Sequence, residues 1–160
     1  MTTATGILEV LVVSANGLSN ADFLTGKIDP YVVVQYKGQE RKTHIARGQG
    51  NNPEWNQKMK FRAEYPGSGT DYNITLKLMD HDTFSKDDFL GRTTIHVGDL
   101  LAMGVEKGSY DLHPSKFRVI GHDKKYSGDI KVGVKFTKTS NNLDEEEHFG
   151  GWKEVAMVLE

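Results

Sequence analysis

Four aspartates lie close together in the segment LMDHDTFSKDDFLG, which spans residues 78–91. They are Asp80, Asp82, Asp87 and Asp88, and they directly follow a run of alternating apolar residues. Two carboxylates about 4 Å apart repel each other by roughly 4 kcal/mol at an effective dielectric constant near 20. A bound cation relieves this repulsion, and carboxylate oxygens are the hard ligands that Ca²⁺ prefers. The segment therefore predicts a calcium site.

Three other interpretations compete with this one. An EF-hand begins correctly with Asp80 and Asp82, but Phe84 takes its third ligand position and Gly91 stands where the bidentate glutamate belongs. Softer metals need paired histidines or cysteines, and the chain has no cysteine. A turn whose aspartates only cap backbone amides remains open. A second acidic loop, ANGLSNADFLTGKIDPYVVV with Asp22 and Asp29, favours the metal site.

The elements that position these loops are predicted to be strands, because the dominant hydrophobic period is two. GILEVLVV, YNITLKLMD and GDIKVGVKFT alternate apolar and polar residues, and DPYVVVQY, QKMKFRAEY, GRTTIHV and GSYDLHP supply further short strands. GDLLAMG predicts one helical turn. Turn-forming residues separate about eight strands, and this pattern indicates an all-β fold, an eight-stranded antiparallel β-sandwich.

Composition narrows the class of protein further. The chain has 160 residues, 37% hydrophobic and 26% charged residues and a net charge of -2, which suits one globular domain rather than a strongly basic nucleic-acid binder. No signal peptide is indicated, and no apolar stretch approaches the roughly 20 residues of a membrane span. We predict a domain over residues 1–137 and a polar, acidic tail over 138–160. The tail is expected to be solvated, or else to dock through Trp152, Val155 and Val158.

Three motifs occur in order: GLSNADFLTGKIDPYVVV, NNPEWNQ and LMDHDTFSKDDFLG. With these motifs the chain resembles the C2 domain family, calcium-dependent phospholipid-binding β-sandwiches, over roughly residues 6–137. It is most similar to small single-C2 plant proteins of the elicitor-responsive and 16 kDa phloem type. The first strand leads directly into the segment that holds Asp22 and Asp29, which we call loop 1, and GDIKVGVKFT closes the domain. This order resembles the circularly permuted form called type II topology.

The resemblance implies specific ligands for two or more Ca²⁺ ions. The family's five calcium-binding aspartates fall on Asp22, Asp29, Asp80, Asp82 and Asp88. Ser85 matches a position that supplies a further oxygen, and Phe23 and His81 match positions that contribute backbone carbonyls. One departure is present: Asp29 follows Asp22 by seven positions, where the family usually has six.

The resemblance also implies a peripheral adaptor for anionic phospholipid membranes. Phe23, Leu24 and Phe84 are the candidates for membrane insertion at the loop tips. A basic surface comprising Lys37, Arg41, Lys42 and Arg47 is predicted to contact lipid headgroups, and the alternative is an ordinary solvated strand surface. We expect a cytoplasmic monomer that moves to the plasma membrane when calcium rises, in plant defence signalling.

Functions of other classes have less support in the sequence. There is no G-x-S-x-G elbow, no H-E-x-x-H motif and no P-loop, so we do not expect an enzyme. The alternative is non-specific RNA binding or transport through the basic strands, because some phloem-type relatives are described as RNA carriers. No RNP-like motif supports that alternative.

Overall fold

Eight antiparallel strands and one helix are seen in this computed structural model, which describes residues 3–18, 28–69 and 71–139. In chain order the elements are β1 (Ala4–Asn16), β2 (Pro30–Tyr36), β3 (Gln39–Lys42), β4 (Glu54–Tyr65), β5 (Asn73–Asp80), β6 (Asp88–His96), α1 (Gly98–Lys107), β7 (Ser109–Ile120) and β8 (Tyr126–Lys138). The all-β prediction of eight antiparallel strands is confirmed. The three tail residues considered for docking, Trp152, Val155 and Val158, lie outside the described residues.

The strands form one hydrogen-bonded sheet that folds back on itself. Their order is β3-β2-β5-β6-β7-β8-β1-β4, and β6 and β7 are joined only by the pair of Arg92 with Ile120. β2 and β4 lie far apart in this order, yet the ring of Tyr36 on β2 packs edge-on against Phe61 on β4, with 6.4 Å between centroids. The sheet therefore bends at the β6–β7 junction into two four-stranded layers, the predicted sandwich.

The core between the layers follows from the period-two alternation. Residues that alternate along β1, β5 and β8 are almost fully buried: Leu8, Val10, Val12, Ile74, Leu76, Leu78, Ile130, Val132, Val134 and Phe136. Burying one such side chain stabilises the fold by about 1.5–3 kcal/mol. β8 pairs with β1, and loop 1 joins β1 to β2, in agreement with the expected permuted strand order.

The helix is longer than the single turn predicted from the sequence. Glycines at both ends of GDLLAMG give this segment a poor intrinsic helix propensity. In the fold, Leu101 is fully buried, and Gly104 lies so close to Phe136 that an added Cβ would be 2.5 Å from the ring. This packing sustains α1 over ten residues. The described part of the chain has no helix with the length and hydrophobicity of a membrane span.

The strand register brings two acidic segments to one end of the sandwich. Pro30, which begins β2, is paired with Asp80, which ends β5, and Asp80 is paired with Asp88, which begins β6. We call this end the acidic end. The turn between β2 and β3, which contains Lys37, lies at the opposite end of β2.

Candidate metal centre

Three of the predicted aspartate ligands meet where β2, β5 and β6 adjoin. Asp80 is paired directly with Asp88, and the backbone N–H of Asp29 donates to Asp80 Oδ1 at 2.9 Å. The backbone N–H of His81 donates to the carbonyl of Asp29 at 3.0 Å. Backbone pairing thus fixes the relative positions of these three residues, although Asp29 is distant from the other two in sequence.

The electrostatics of Asp80 reflect this crowding. Burial raises the pKa of the Asp80 carboxyl, and the negative charges of Asp88, Asp29 and Asp82 raise it further. The hydrogen bond from the Asp29 amide acts in the opposite direction and offsets part of the rise. The ionised form of Asp80 is therefore disfavoured at this place, as it would be in a site that a cation neutralises.

Asp82 is held within loop 3, the segment between β5 and β6. Its Oδ1 accepts the backbone N–H of Phe84 at 2.9 Å, and its Oδ2 accepts the hydroxyl of Ser85 at 2.7 Å. The Ser85 hydroxyl and then the Phe84 amide lower the pKa of Asp82. Ser85, predicted to supply a ligand oxygen, thus touches a predicted carboxylate ligand and lies beside the site.

Asp87 stabilises loop 3 through hydrogen bonds that the sequence analysis did not predict. It accepts hydrogen bonds from the Tyr31 hydroxyl and, at 3.0 Å, from the Asp82 backbone N–H. His81 Nδ1 lies 3.5 Å from Asp87 Oδ1. The hydrogen bond from the Tyr31 hydroxyl is the largest of the effects that lower the pKa of Asp87. The pKa of Tyr31 is raised to about 12, mainly by burial and then by the hydrogen bond to Asp87 and its negative charge.

The chemistry of this donor set fits Ca²⁺. Asp29, Asp80, Asp82 and Asp88 offer hard carboxylate oxygens, which suit the large and flexible shell of that ion. Among the described residues, no group of three or more Asp, Glu or His side chains is arranged closely enough to hold a metal ion as the structure stands. The predicted fifth aspartate, Asp22, lies outside the described residues. The calcium-ligand assignment therefore stays a prediction, supported by the shared location of the four described aspartates.

The predicted membrane-inserting residues can be placed in part. Phe84 is 96% exposed, in the same loop as Asp82. Phe23, a candidate both for insertion and for a backbone ligand, and Leu24 lie outside the described residues. Leu90 is buried in the core, whereas Phe89 is half-buried.

The four cations predicted to form one basic surface are dispersed by the fold. Lys37 is at the end opposite the aspartates, where its Nζ donates to the Ser68 carbonyl at 3.2 Å. The Arg41 guanidinium lies over the Phe61 ring, 5.5 Å from its centroid. The next residue, Lys42, is exposed on the opposite side of β3, because successive strand residues alternate in direction.

Arg47 is exposed next to Gly48, whose backbone N–H donates to Asp29 Oδ1 at 3.2 Å. Of the four predicted cations, Arg47 is therefore the one placed near the acidic end.

An open groove on the outer side of β2, β3, β5 and β6 brings together cations that the sequence analysis did not group. Lys42, Lys77 and Arg92 line it together with Glu40 and Tyr31. The alternation of apolar and polar residues in YNITLKLM and GRTTIHV could have predicted that Lys77 and Arg92 lie on the outer faces of their strands. Their proximity to Lys42 depends on strand order, which the sequence does not show.

Comparison with known proteins assigns the chain to a family. The C2 domain family matches residues 6–112. The chain is 52% identical to 16 kDa phloem protein 1 of Arabidopsis thaliana over 94% of its own length and 96% of that protein. It is 50% identical to elicitor-responsive protein 1 of Oryza sativa subsp. japonica over 92% of its own length and 94% of that protein.

Solved structures agree with these sequence matches. A C2 domain-containing protein described as coming from an elicitor-responsive gene superposes with a TM-score of 0.68 at 32% identity, covering 89% of this chain and 97% of the other. A C2 domain of plant extended synaptotagmin 1 shares the fold, with a TM-score of 0.65 at 21% identity over 86% of this chain and 98% of that domain.

A match to a human Ras GTPase-activating protein 4B, at 30% identity, covers only 15% of that protein. The long matches are instead to small proteins of about this length. The chain belongs to the C2 domain family, together with the 16 kDa phloem and elicitor-responsive proteins of plants.

Proposed function

We propose that the protein binds anionic phospholipid membranes in a calcium-dependent manner and acts as a peripheral membrane adaptor. The observation that carries this proposal is the position of Phe84. Its 96% exposed ring belongs to the loop that also holds Asp82, between the strand ends that carry Asp80 and Asp88. An apolar side chain and a cluster of carboxylates thus face solvent at one end of the sandwich.

Before calcium binds, the aspartates oppose contact with an anionic membrane. Asp29, Asp80, Asp82 and Asp88 concentrate negative charge at the acidic end, which repels anionic headgroups. Two or more bound Ca²⁺ ions would supply positive charge and open coordination positions for lipid oxygens. The hydrogen bonds of Asp80 and Asp82 with loop amides hold these carboxylates at the acidic end.

Phe84 supplies apolar contact once the charge barrier is removed. Transfer of a phenylalanine side chain from water into the boundary between headgroups and acyl chains contributes about 1.5–3 kcal/mol. Because Phe84 has almost no contact with the rest of the fold, this transfer loses little packing energy in the protein.

Cations around the groove would add attraction for anionic lipids. Lys42, Lys77 and Arg92 lie on one face, and Arg47 precedes Gly48, whose backbone N–H donates to Asp29. Each Lys or Arg near an anionic membrane contributes about 1 kcal/mol, which salt reduces. We propose that these four residues, rather than the dispersed Lys37 and Arg41, carry the headgroup contacts. The adaptor would then move from the cytoplasm to the plasma membrane when calcium rises.

Co-sedimentation with phosphatidylserine-containing vesicles tests the proposal. The full chain should pellet with vesicles in calcium and stay in the supernatant in EGTA. An Asp80→Asn/Asp82→Asn variant should not pellet in calcium, whereas Asp111→Asn should pellet like the wild type, because Asp111 is exposed on β7. Absence of wild-type pelleting in calcium, or equal pelleting in EGTA, would contradict the proposal.

A further inference from the structure

The hairpin between β7 and β8 forms another loop at the acidic end. Ile120 is paired with Arg92 of β6, so the chain beyond Ile120 runs alongside the first residues of β6 toward Asp88. The ring of His122 in the hairpin lies edge-on to Phe89, the neighbour of Asp88, with 5.0 Å between centroids. The hairpin loop, residues 121–125, is therefore close to loop 3.

The base of the hairpin is packed just as closely against the start of loop 1. Gly128 has a φ of 85°, and a Cβ added there would lie 2.2 Å from the carbonyl oxygen of Asn16. Only a glycine fits so near that backbone. The hairpin is thus fixed between the beginning of loop 1 and loop 3, and it cannot swing away from the acidic end without breaking these contacts.

Residues 121–125 are GHDKK, so Lys124 and Lys125 outweigh Asp123 and the loop has a net charge of +1 with His122 neutral. Residues 122–125 are all exposed. Arg118, two residues before the end of β7, adds a third cation, and its guanidinium lies over the Tyr126 ring at 4.5 Å from the centroid. Among the described residues, neither Lys124 nor Lys125 forms an ion pair with a carboxylate.

Lys124 adopts a conformation that does not suit lysine. The backbone N–H of Lys124 donates to the Gly121 carbonyl at 3.1 Å, and the Gly121 N–H donates to the Lys125 carbonyl at 2.8 Å. These bonds define a tight hairpin loop in which Lys124 has a φ of 60°. Glycine is preferred at such a left-handed position, because a Cβ is disfavoured there. A residue that local folding disfavours points to a use for its side chain.

We propose that the 121–125 hairpin is a cationic contact for the anionic membrane surface, acting beside the calcium loops. This inference rests on the proposed function and assigns part of the membrane contact to Lys124 and Lys125. While the aspartates remain uncompensated, their field opposes approach of the membrane to the whole acidic end. Once calcium neutralises them, the hairpin lysines make the same end positive and attract phosphatidylserine headgroups.

Calcium-dependent binding of the full chain to mixed phosphatidylserine and phosphatidylcholine vesicles, with variants of Lys124, tests this. Lys124→Gly should bind about fivefold more weakly than the wild type, because one interfacial cation is lost. Its thermal unfolding midpoint in EGTA should rise by about 1–3 °C, because glycine relieves the left-handed backbone. Lys124→Arg retains the charge and should bind like the wild type. Lys135→Gln, on the outer side of β8 and far along the strand from the hairpin, should also bind like the wild type.

The outcomes separate this inference from the proposed function. Weaker binding by a Lys124→Gly protein that is at least as stable as the wild type supports the hairpin contact. Wild-type binding by Lys124→Gly, or equal losses in Lys124→Gly and Lys135→Gln, would overturn the hairpin contact and leave calcium-dependent membrane binding intact. A wild-type chain that does not bind the vesicles in calcium would overturn both.

Discussion

Replacing Asp80 by asparagine should stabilise the calcium-free protein. Asparagine has nearly the same shape, and its Oδ1 can still accept the backbone N–H of Asp29 that Asp80 accepts at 2.9 Å. The substitution removes the charge that repels Asp88, Asp29 and Asp82. Two charges about 6 Å apart at a dielectric constant near 20 repel by roughly 3 kcal/mol. Because Asp88 is exposed and screened by water, we expect a net gain of about 1 kcal/mol.

The gain should depend on pH in a defined direction. The folded-state pKa of Asp80 is raised above its ordinary value of 3.8. The charged form is therefore penalised in the folded state at neutral pH, and this penalty disappears as the pH falls through the folded pKa to 3.8 and below. The Asp80→Asn variant should be more stable than the wild type at pH 7 in EGTA, and the difference should shrink as the pH falls and vanish well below pH 3.8.

Thermal unfolding in EGTA measures this effect. A gain of about 1 kcal/mol corresponds to a rise in the unfolding midpoint of about 2–4 °C for a chain of this size. Asp111→Asn, an exposed change on β7 away from the cluster, should leave the midpoint within about 1 °C of the wild type. Adding calcium should raise the wild-type midpoint but not that of Asp80→Asn. A variant that is less stable than the wild type in EGTA at pH 7 would refute the electrostatic reasoning.

Three further substitutions test separate parts of the structure. Tyr31→Phe removes the hydroxyl that donates to Asp87 and should lower the free energy of unfolding by about 1–2 kcal/mol in urea denaturation at pH 7, an effect that is lost in acid as Asp87 is protonated. Phe84→Ala should leave the free energy of unfolding unchanged but weaken vesicle binding in calcium by at least about tenfold; unchanged binding would exclude insertion of this ring. Gly104→Ala, although favourable in an isolated helix, should destabilise the fold by about 1–3 kcal/mol, because its Cβ would meet Phe136 at 2.5 Å; a rise in stability would contradict the close packing of α1.

The sequence predicts the strand faces well where one side of a strand is buried. In β1 and β5, alternation identifies Leu8, Val10, Leu76 and Leu78 as core residues, and all four are fully buried. β7 is different, because its residues are exposed through Lys116 and carry no alternating pattern. Its extension as far as Ile120 therefore could not be predicted from hydrophobic periodicity.

The sequence was enough to predict that the aspartates form a cluster, but not how they and their neighbours are arranged in space. The density of aspartates in one segment indicated a cation site without knowledge of the fold. The hydrogen bond between Tyr31 and Asp87 was not predictable, because it joins β2 to a loop residue 56 positions later in the chain. Similarly, Lys77 and Arg92 join Lys42 in the groove only through the lateral order of four strands.

A calcium titration with and without anionic vesicles tests the central claim most directly. If Asp29, Asp80 and their neighbours share calcium with lipid headgroups, calcium and membrane must strengthen each other's binding by the same factor. The calcium concentration at half-saturation of the full chain should then fall when phosphatidylserine vesicles are added, and should not change with phosphatidylcholine vesicles alone. An identical half-saturation concentration with and without phosphatidylserine would contradict calcium-dependent membrane binding through this site.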